Sequence, residues 1–404
     1  MTRRIDPALV VVLAGISAAL HVGKLPPALP VLRDALQISL VQAGFLLSLV
    51  QLAGMTLGVA IGAAADSLGP RRTMVLGLLI LAVASFAGGF VQTPGALMAL
   101  RAAEGAGFLL ATLPAPGLIR RLVEPQRLAA TLGLWGAFMP IGTAAALLAG
   151  PACIALAGWP GWWWLLALLA LVMAVVLALA VPSSADARMA AAAGAGRRIM
   201  RTIRAKGPWL PSLAFAVYSA QWLTVVGFLP TIYAQAGLPT AYAAFATAFA
   251  ALVNMTGNIA SGRFLQRGVP APVLLFVGYA AMLVGAVVAF SPAFDSAVLR
   301  YLGVLLFSSL GGLVPGTLFS VAVRVAPDDT TVSSTVGWVQ QLSAFGQFVG
   351  PPFAAWVAAR MGGWHVIWWV TGAFALAGMG MAHAISRFLA GHADAPPAVP
   401  HPRP

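Results

Sequence analysis

Arg101 and Glu104 lie three residues apart in "LMALRAAEGAG", a stretch from Leu97 that carries no other charge. Side chains at this spacing share one face of a helix, so the two can form an ion pair. Glu104 is the only one of the ten acids that lies well inside a predicted helix. One hypothesis is that Glu104 takes up and releases a proton and that Arg101 influences its proton affinity. The alternative is a permanent structural ion pair.

His21 and Lys24 form a second candidate pair, in the first predicted helix. At 1.5 Å per residue they lie roughly 21 and 25 Å above the start of that helix. The sequence "KLPPALP" that follows predicts a break in the helix, whose free carbonyl groups could line a cavity. Together these features favour a cationic pocket for a small polar or anionic solute. The alternatives are a lysine that reaches the outer interface and a hydrogen-bonded interior histidine.

Amide side chains are the third polar group within apolar stretches. Gln221 in the seventh predicted helix and Gln340 and Gln341 in the eleventh are candidates for solute contact. Asn254 and Asn258 are four residues apart, hence on one helical face, and are predicted to hold neighbouring helices together.

The sequence favours no metal, cofactor or catalytic centre. Cys153 is the single cysteine and lies in an apolar run, which excludes a disulfide framework and a thiolate metal site. There is no nucleotide-binding P-loop. A membrane-embedded enzyme would need a catalytic His/Asp or carboxylate cluster near an interface, and the short, charge-poor outer loops offer none. We therefore expect no cofactor, no metal and no enzymatic activity.

The elements that must position these side chains are membrane helices. Of the 404 residues, 60% are hydrophobic and 8% are charged, whereas charged residues make up about a quarter of a soluble protein. The mean hydropathy is +0.92. Apolar runs of about 20 residues recur along the chain, as in helices that cross a bilayer, and they lack the alternation of a β-barrel. The predicted fold class is an all-α integral membrane protein.

Twelve transmembrane helices are predicted, at about 7–32, 40–61, 73–92, 95–119, 128–151, 160–181, 209–233, 240–262, 271–290, 298–322, 331–358 and 364–388. The first of them is read as a membrane helix rather than a cleaved signal. The predicted domains are a six-helix bundle over 1–182, a basic cytoplasmic linker over 183–207, a second six-helix bundle over 208–389 and a disordered tail over 390–404.

The positions of Lys and Arg predict the topology. With a cytoplasmic N-terminus, 18 of the 23 basic residues lie in inner segments, so the positive-inside rule places both termini in the cytoplasm. The net charge of +13 then reflects topology and contact with anionic lipid of the inner leaflet, without a nucleic-acid partner. We expect a monomer in a bacterial inner membrane.

Short sequences recur at a spacing of 200 residues. "LAGMTLGVAIG" from Leu52 returns as "LVNMTGNIASG" from Leu252, and Gly150-Pro151 returns as Gly350-Pro351. The repeats predict a duplicated six-helix unit. Because six is an even number, the two pseudosymmetric bundles are parallel.

The cytoplasmic loop "GAAADSLGPRR" starts at Gly62 and contains Asp66, Gly69, Arg71 and Arg72. We interpret it as a gate: Asp66 accepts hydrogen bonds from Arg71 or from a helix N-terminus and holds the halves together in one state. The alternative is a tight turn with positive-inside charge. The corresponding segment of the second half, "GRFLQRG" from Gly262, lacks the acid.

This loop resembles a motif of the major facilitator superfamily, and "LMALRAAEGAG" resembles the motif of the family's fourth helix, with Arg101, Gly105 and Gly107 in place and Glu104 where glutamine is common. Within the superfamily the chain is most similar to the bacterial cyanate and nitroimidazole branch, from which no substrate follows. The resemblance implies the major facilitator fold, a cavity lined by the first, seventh and eleventh helices, and alternating access.

The sequence thus predicts a secondary transporter for a small-molecule solute that is polar or anionic, with proton coupling as one option. The alternatives are a drug or metabolite exporter of the same fold, a membrane-embedded enzyme, and a receptor or scaffold that does not transport.

Overall fold

A computed structural model describes residues 6–56, 58, 69–182, 195–328 and 331–393. All regular structure within these ranges is helical. Nine of the described helices are long and apolar enough to cross a membrane, and one of them, Leu134–Ala180, contains two passages. It is divided at Gly158, whose φ of +68° is left-handed and breaks the helix. Two further helices, Leu40–Thr56 and Val332–Arg360, complete the predicted set of twelve.

We number the twelve passages in chain order. The first six are α1 (Pro7–Leu36), α2 (Leu40–Thr56), α3 (Pro70–Gly88), α4 (Pro94–Leu122), α5 (125–157) and α6 (159–180). The second six are α7 (Lys206–Gln235), α8 (Thr240–Gln266), α9 (Ala271–Phe290), α10 (Ala297–Arg324), α11 (Val332–Arg360) and α12 (Trp364–Gly391).

The two halves repeat one packing scheme through glycines that allow close approach. Gly150 of α5 packs against Pro27 of α1, and Gly350 of α11 packs against Ala220 of α7. In the same way α3 packs on α4 and α9 packs on α10. The repeat spacing read from the sequence is therefore reflected in the contacts, as the predicted pair of pseudosymmetric six-helix bundles requires.

Two boundaries differ from the sequence prediction. The basic linker predicted over 183–207 contains a helix, Ala195–Arg204, and α7 begins at Lys206. The linker helix packs on the start of α11, where Arg201 forms a 2.6 Å ion pair with Asp328. At the other end of the chain, the last helix continues to Ala393, into the stretch predicted as a disordered tail.

The halves meet along three helix pairs, α1 with α7, α2 with α11 and α5 with α8. Of the nine long apolar helices, α1 and α7 are the most enclosed: 78% and 83% of the most apolar 18-residue segment of each is buried inside the protein. We call the space between the halves the gap, and the side on which α1 begins and α12 ends the terminal side.

Candidate functional site

The prolines of "KLPPALP" do not end α1. Its two helical segments, Pro7–Gly23 and Leu25–Leu36, meet at Lys24 and continue in one direction. Pro26 has no N–H to donate to the carbonyl four residues earlier, at Val22. The predicted break is thus a local interruption of the hydrogen bonding, and the carbonyl groups it frees are used inside the protein.

Lys24 is fully buried and binds three side chains of the first half. Its ammonium forms an ion pair with Glu104 of α4 and donates a 2.9 Å hydrogen bond to Ser85 of α3. It also lies 4.4 Å from the centre of the Trp163 ring of α6, which places it in cation–π contact. Ser85 in turn donates to the Trp163 carbonyl at 2.8 Å. Lys24 is therefore enclosed by α1, α3, α4 and α6 and does not line the gap as a cationic pocket would require.

The predicted ion pair of Arg101 with Glu104 is confirmed, and Arg101 also binds the Val22 carbonyl that Pro26 leaves free. Its Nη1 lies 2.8 Å from Glu104 Oε2 and also donates to the His21 carbonyl, while Nη2 donates to the Val22 carbonyl at 3.3 Å. Its Nε donates to the Leu46 carbonyl at 3.2 Å. Leu46 precedes a 3₁₀ turn, Leu49–Gln51, where the α-helical hydrogen bonding of α2 is interrupted. Arg101 thus ties α1, α2 and α4 together.

We call Lys24, Arg101 and Glu104 the charge cluster. It carries two cations and one anion, and each side chain is at most 2% exposed. Burial of one unpaired charge in a bundle costs several kcal/mol, so both carboxylate oxygens of Glu104 are used to offset two cations. Among the described residues Glu104 is the one buried acid.

His21 and Gln221, which correspond across the 200-residue repeat, occupy equivalent interior positions. Both are fully buried, and neither side chain has a hydrogen-bond partner in the protein. Gln221 shares a helical face with Ala214 and Phe228, seven residues away on either side. Ala214 accepts a hydrogen bond from Tyr279, and Phe228 packs on Trp364. Gln221 is fully buried and therefore has no surface exposed to the gap that it was expected to line.

Gln340 and Gln341 lie on different faces of α11. Gln341 donates to the Met55 carbonyl of α2 at 2.8 Å and so joins the two halves. Gln340 is exposed. One face of α11 carries a row of exposed apolar side chains, as expected of a surface in contact with lipid: Phe345, Val349, Phe353 and Trp356. Gln340 lies on the opposite face of the helix. Gln340 is therefore exposed to the gap.

Sequence reasoning missed a chain of hydrogen bonds that crosses the gap. Gln51 of α2 donates to Gln347 of α11 at 3.0 Å, and Gln347 donates to Ser343 at 3.3 Å. Ser343 is 2.7 Å from Ser219 of α7. We call Gln51, Gln347, Ser343 and Ser219 the amide chain. The available signal was Gln51, a glutamine in the middle of the largely apolar helix α2.

Of the two asparagines of α8, Asn254 holds helices together as predicted, whereas Asn258 bonds within α8. Asn254 donates to the Ser308 carbonyl of α10 at 2.8 Å and to the Tyr218 hydroxyl of α7 at 3.0 Å. Asn258 donates to the side-chain oxygen of Asn254 at 3.1 Å.

Burial and contacts along the central helices show which end of the gap is closed. Leu9 and Leu13 of α1 and Leu213 of α7 lie near the terminal side and are 38–43% exposed. Leu29 and its repeat partner Leu229, toward the other ends of these helices, are fully buried. At that opposite side the halves are in contact, with Gly44 of α2 against Pro352 of α11 and Gly227 of α7 against Leu47 of α2, so the gap is closed there.

The predicted gate is described only in part. Gly62 and Asp66 lie outside the described residues. Gly69 begins α3 with a φ of +89°, a left-handed conformation that favours glycine. Arg71 donates to the Ala178 carbonyl near the end of α6, and Arg72 is exposed.

Comparison with known proteins agrees with this architecture. Residues 8–345 match the Major Facilitator Superfamily. A segment of 149 residues is 28% identical to monocarboxylate transporter 13 of Bos taurus and covers 36% of this chain and 34% of that protein. A segment of 98 residues is 32% identical to an MFS-type transporter of Mycobacterium tuberculosis and covers 24% of this chain and 17% of that protein. The chain thus matches about a third or less of the length of these relatives.

Solved structures show the same fold over nearly the whole chain. A bacterial homolog of the human lysosomal transporter Spinster, in an inward-facing and occupied conformation, has a TM-score of 0.80 at 16% identity, with 94% of this chain and 96% of that chain covered. A D-xylose–proton symporter has a TM-score of 0.74 at 16% identity over 95% and 97%. The nucleoside transporter NupG has a TM-score of 0.76 at 15% identity over 94% and 100%.

Proposed function

This chain belongs to the Major Facilitator Superfamily, and from that premise we propose that it moves a small polar or anionic solute across a bacterial inner membrane by alternating access, with coupling to protons at Glu104. As a member of this family it is a multi-pass membrane transporter and not an enzyme. In the proposed topology both termini are cytoplasmic and the protein works as a monomer among anionic inner-leaflet lipids. The gap then opens to the cytoplasm.

The observation that carries the proton coupling is the position of Glu104 between two buried cations. Among the described residues its carboxylate is the one negative charge that links Lys24 of α1 to Arg101 of α4. Protonation of Glu104 removes that charge and leaves two buried cations that repel each other. Since α1 packs across the gap on α7, a shift of α1 relative to α4 changes the contact between the halves. In this way the protonation of Glu104 is linked to whether the gap is open or closed.

The relatives provide the first solutes to examine. The names of the similar proteins refer to a monocarboxylate, to D-xylose and to nucleosides, so lactate, D-xylose and uridine are suitable probes. For each probe, purified protein in proteoliposomes is tested for accumulation driven by a pH gradient. A solute that is accumulated only with an imposed gradient supports proton coupling, whereas exchange without any response to the gradient contradicts it.

Glu104→Gln is the decisive variant. It is expected to retain exchange of solute across the membrane and to lose accumulation driven by the gradient. Glu124→Gln is the matched control, because Glu124 is an exposed acid at the start of the helix Pro125–Gly136. Gradient-driven accumulation by Glu104→Gln at the level of Glu124→Gln would exclude Glu104 as the proton carrier.

A further inference from the structure

Among the described residues, the polar side chains that we place in the middle of the gap are uncharged. Gln340 of α11 is exposed there, and two helical turns further from the terminal side Gln347 joins the amide chain to Gln51. A solute that enters from the open end passes Leu9, Leu13 and Leu213 before it reaches Gln340. The path therefore leads from apolar side chains to amides and hydroxyl groups.

The ionisable groups at this depth are sealed away from the path. Among the described residues, the buried ionisable side chains of the first four helices are His21 and the charge cluster, each at most 2% exposed. In the second half, Gln221 and Thr224 occupy the repeat positions of His21 and Lys24. An anion at Gln340 would lose its hydration without gaining a cationic partner, which is strongly unfavourable.

Amides suit a solute that both donates and accepts hydrogen bonds. Each glutamine has two N–H donors and one oxygen with two acceptor sites. Gln347 uses one acceptor site for Gln51 and one donor for Ser343, so one of each remains. The Gln51–Gln347 bond must break when the halves separate along α2 and α11. A solute with hydroxyl or amide groups can replace that bond, so its binding compensates for the separation.

We infer that the solute is an uncharged molecule with hydroxyl or amide groups, and that Gln340, Gln347 and Gln51 bind it. This inference rests on the proposed function and narrows its solute class from polar or anionic to polar and neutral. It assigns the charge cluster to coupling and the amides to recognition.

The first test compares neutral and anionic members of matched pairs by thermal shift of the purified protein. The pairs are lactamide and lactate, D-glucose and D-gluconate, and uridine and uridine monophosphate. The neutral member is expected to give the larger shift, and Gln340→Ala is expected to bind it about tenfold more weakly, as for one lost hydrogen bond. Gln126→Ala, at an exposed position of α5, is the control. A larger shift with the anionic member, reduced in Lys24→Met, would overturn the inference.

The second test needs no solute. Gln340→Cys in a Cys153→Ala background is treated with positively and negatively charged methanethiosulfonates. Without an exposed charge in the gap, the two reagents are expected to react at rates that differ by less than about tenfold, because a local field raises counter-ion concentration by about 10- to 1,000-fold. A much faster reaction with the anionic reagent contradicts the inference. These outcomes are separable from failure of the proposed function, which is a lack of gradient-driven flux whatever the solute preference.

Discussion

Lys24 of α1 and Glu104 of α4 are 80 residues apart in the chain and form a fully buried ion pair. Arg101 binds the other carboxylate oxygen of Glu104 at 2.8 Å, so one acid bridges two cations on different helices. The charge cluster is thus asymmetric: loss of Lys24 leaves a neutral Arg101–Glu104 pair, whereas loss of the Glu104 charge leaves two buried cations. This asymmetry predicts the effects of substitution.

Glu104→Gln is expected to destabilise the protein more than Lys24→Met. Removing one partner of a buried ion pair costs about 3–5 kcal/mol because the remaining charge is uncompensated. Lys24→Met leaves Glu104 compensated by Arg101, so its cost is expected to be about 1–3 kcal/mol, mainly from Ser85 and the packing on Trp163. The measurement is thermal or denaturant unfolding in one detergent.

The double variant Lys24→Met with Glu104→Gln provides the control. It removes one cation together with the acid, so it is expected to be more stable than Glu104→Gln alone. Equal stability of the two single variants, with strictly additive loss in the double variant, would mean that the three charges do not act as one unit.

The fold follows from local features of the sequence, and for that reason it was predictable. Apolar runs of membrane-spanning length and the 200-residue repeat indicate the major facilitator fold with two similar bundles, and this fold is confirmed. Boundaries at prolines were less predictable. Pro26 and Pro27 were expected to break α1, but Arg101 of α4 binds the Val22 carbonyl that Pro26 leaves free, and the helix continues.

The contacts of the site were predictable only between residues that are close together in the sequence. The Arg101–Glu104 pair follows from an i, i+3 spacing, and it is confirmed at 2.8 Å. The Lys24–Glu104 pair depends on how α1 is rotated against α4, which no spacing reveals. The burial of Gln221 likewise depends on how α7 packs on its neighbours. The solute-binding roles first given to Lys24 and Gln221 find no support in these buried positions, while the role of Gln340 stays a prediction.

A disulfide between α2 and α11 is expected to stop transport. A Cβ built on Gly54 lies 3.1 Å from the Cβ of Ala344 in the other half, near the separation of about 3.8 Å found in disulfides. Gly54→Cys with Ala344→Cys in a Cys153→Ala background should therefore cross-link under mild oxidation and hold α2 and α11 together.

Transport and cross-linking are measured on the same proteoliposomes before oxidation, after oxidation and after reduction. Each single-cysteine variant serves as a control for oxidation itself. Loss of flux that reduction restores supports alternating access along this interface. A fully cross-linked protein with undiminished flux would show that α2 and α11 need not separate.

Glycines between paired helices are expected to be intolerant of even one methyl group. A Cβ on Gly77 of α3 would lie 2.4 Å from the Ala111 nitrogen of α4, and one on Gly285 of α9 would lie 2.6 Å from the Gly303 carbonyl oxygen of α10. Gly77→Ala and Gly285→Ala should each cost about 1–3 kcal/mol, because rigid backbones must move apart. The measurement is unfolding in detergent, with Gly380→Ala as control because its Cβ would meet nothing within 4 Å. Loss of stability in the control alone would contradict this packing scheme.

Asn254→Leu is expected to destabilise the second half without changing solute affinity. Asn254 holds α7 to α10 through Tyr218 and the Ser308 carbonyl, and the substitution removes the side-chain donor from both buried groups. The expected cost is about 1–3 kcal/mol in unfolding experiments. Asn258→Leu is the matched control on the same face. Its side chain is half-buried and bonds only to Asn254 within its own helix, so a smaller cost is expected. A change in solute affinity with unchanged stability in Asn254→Leu would instead place this residue in the binding site, and the amide chain would no longer account for recognition by itself.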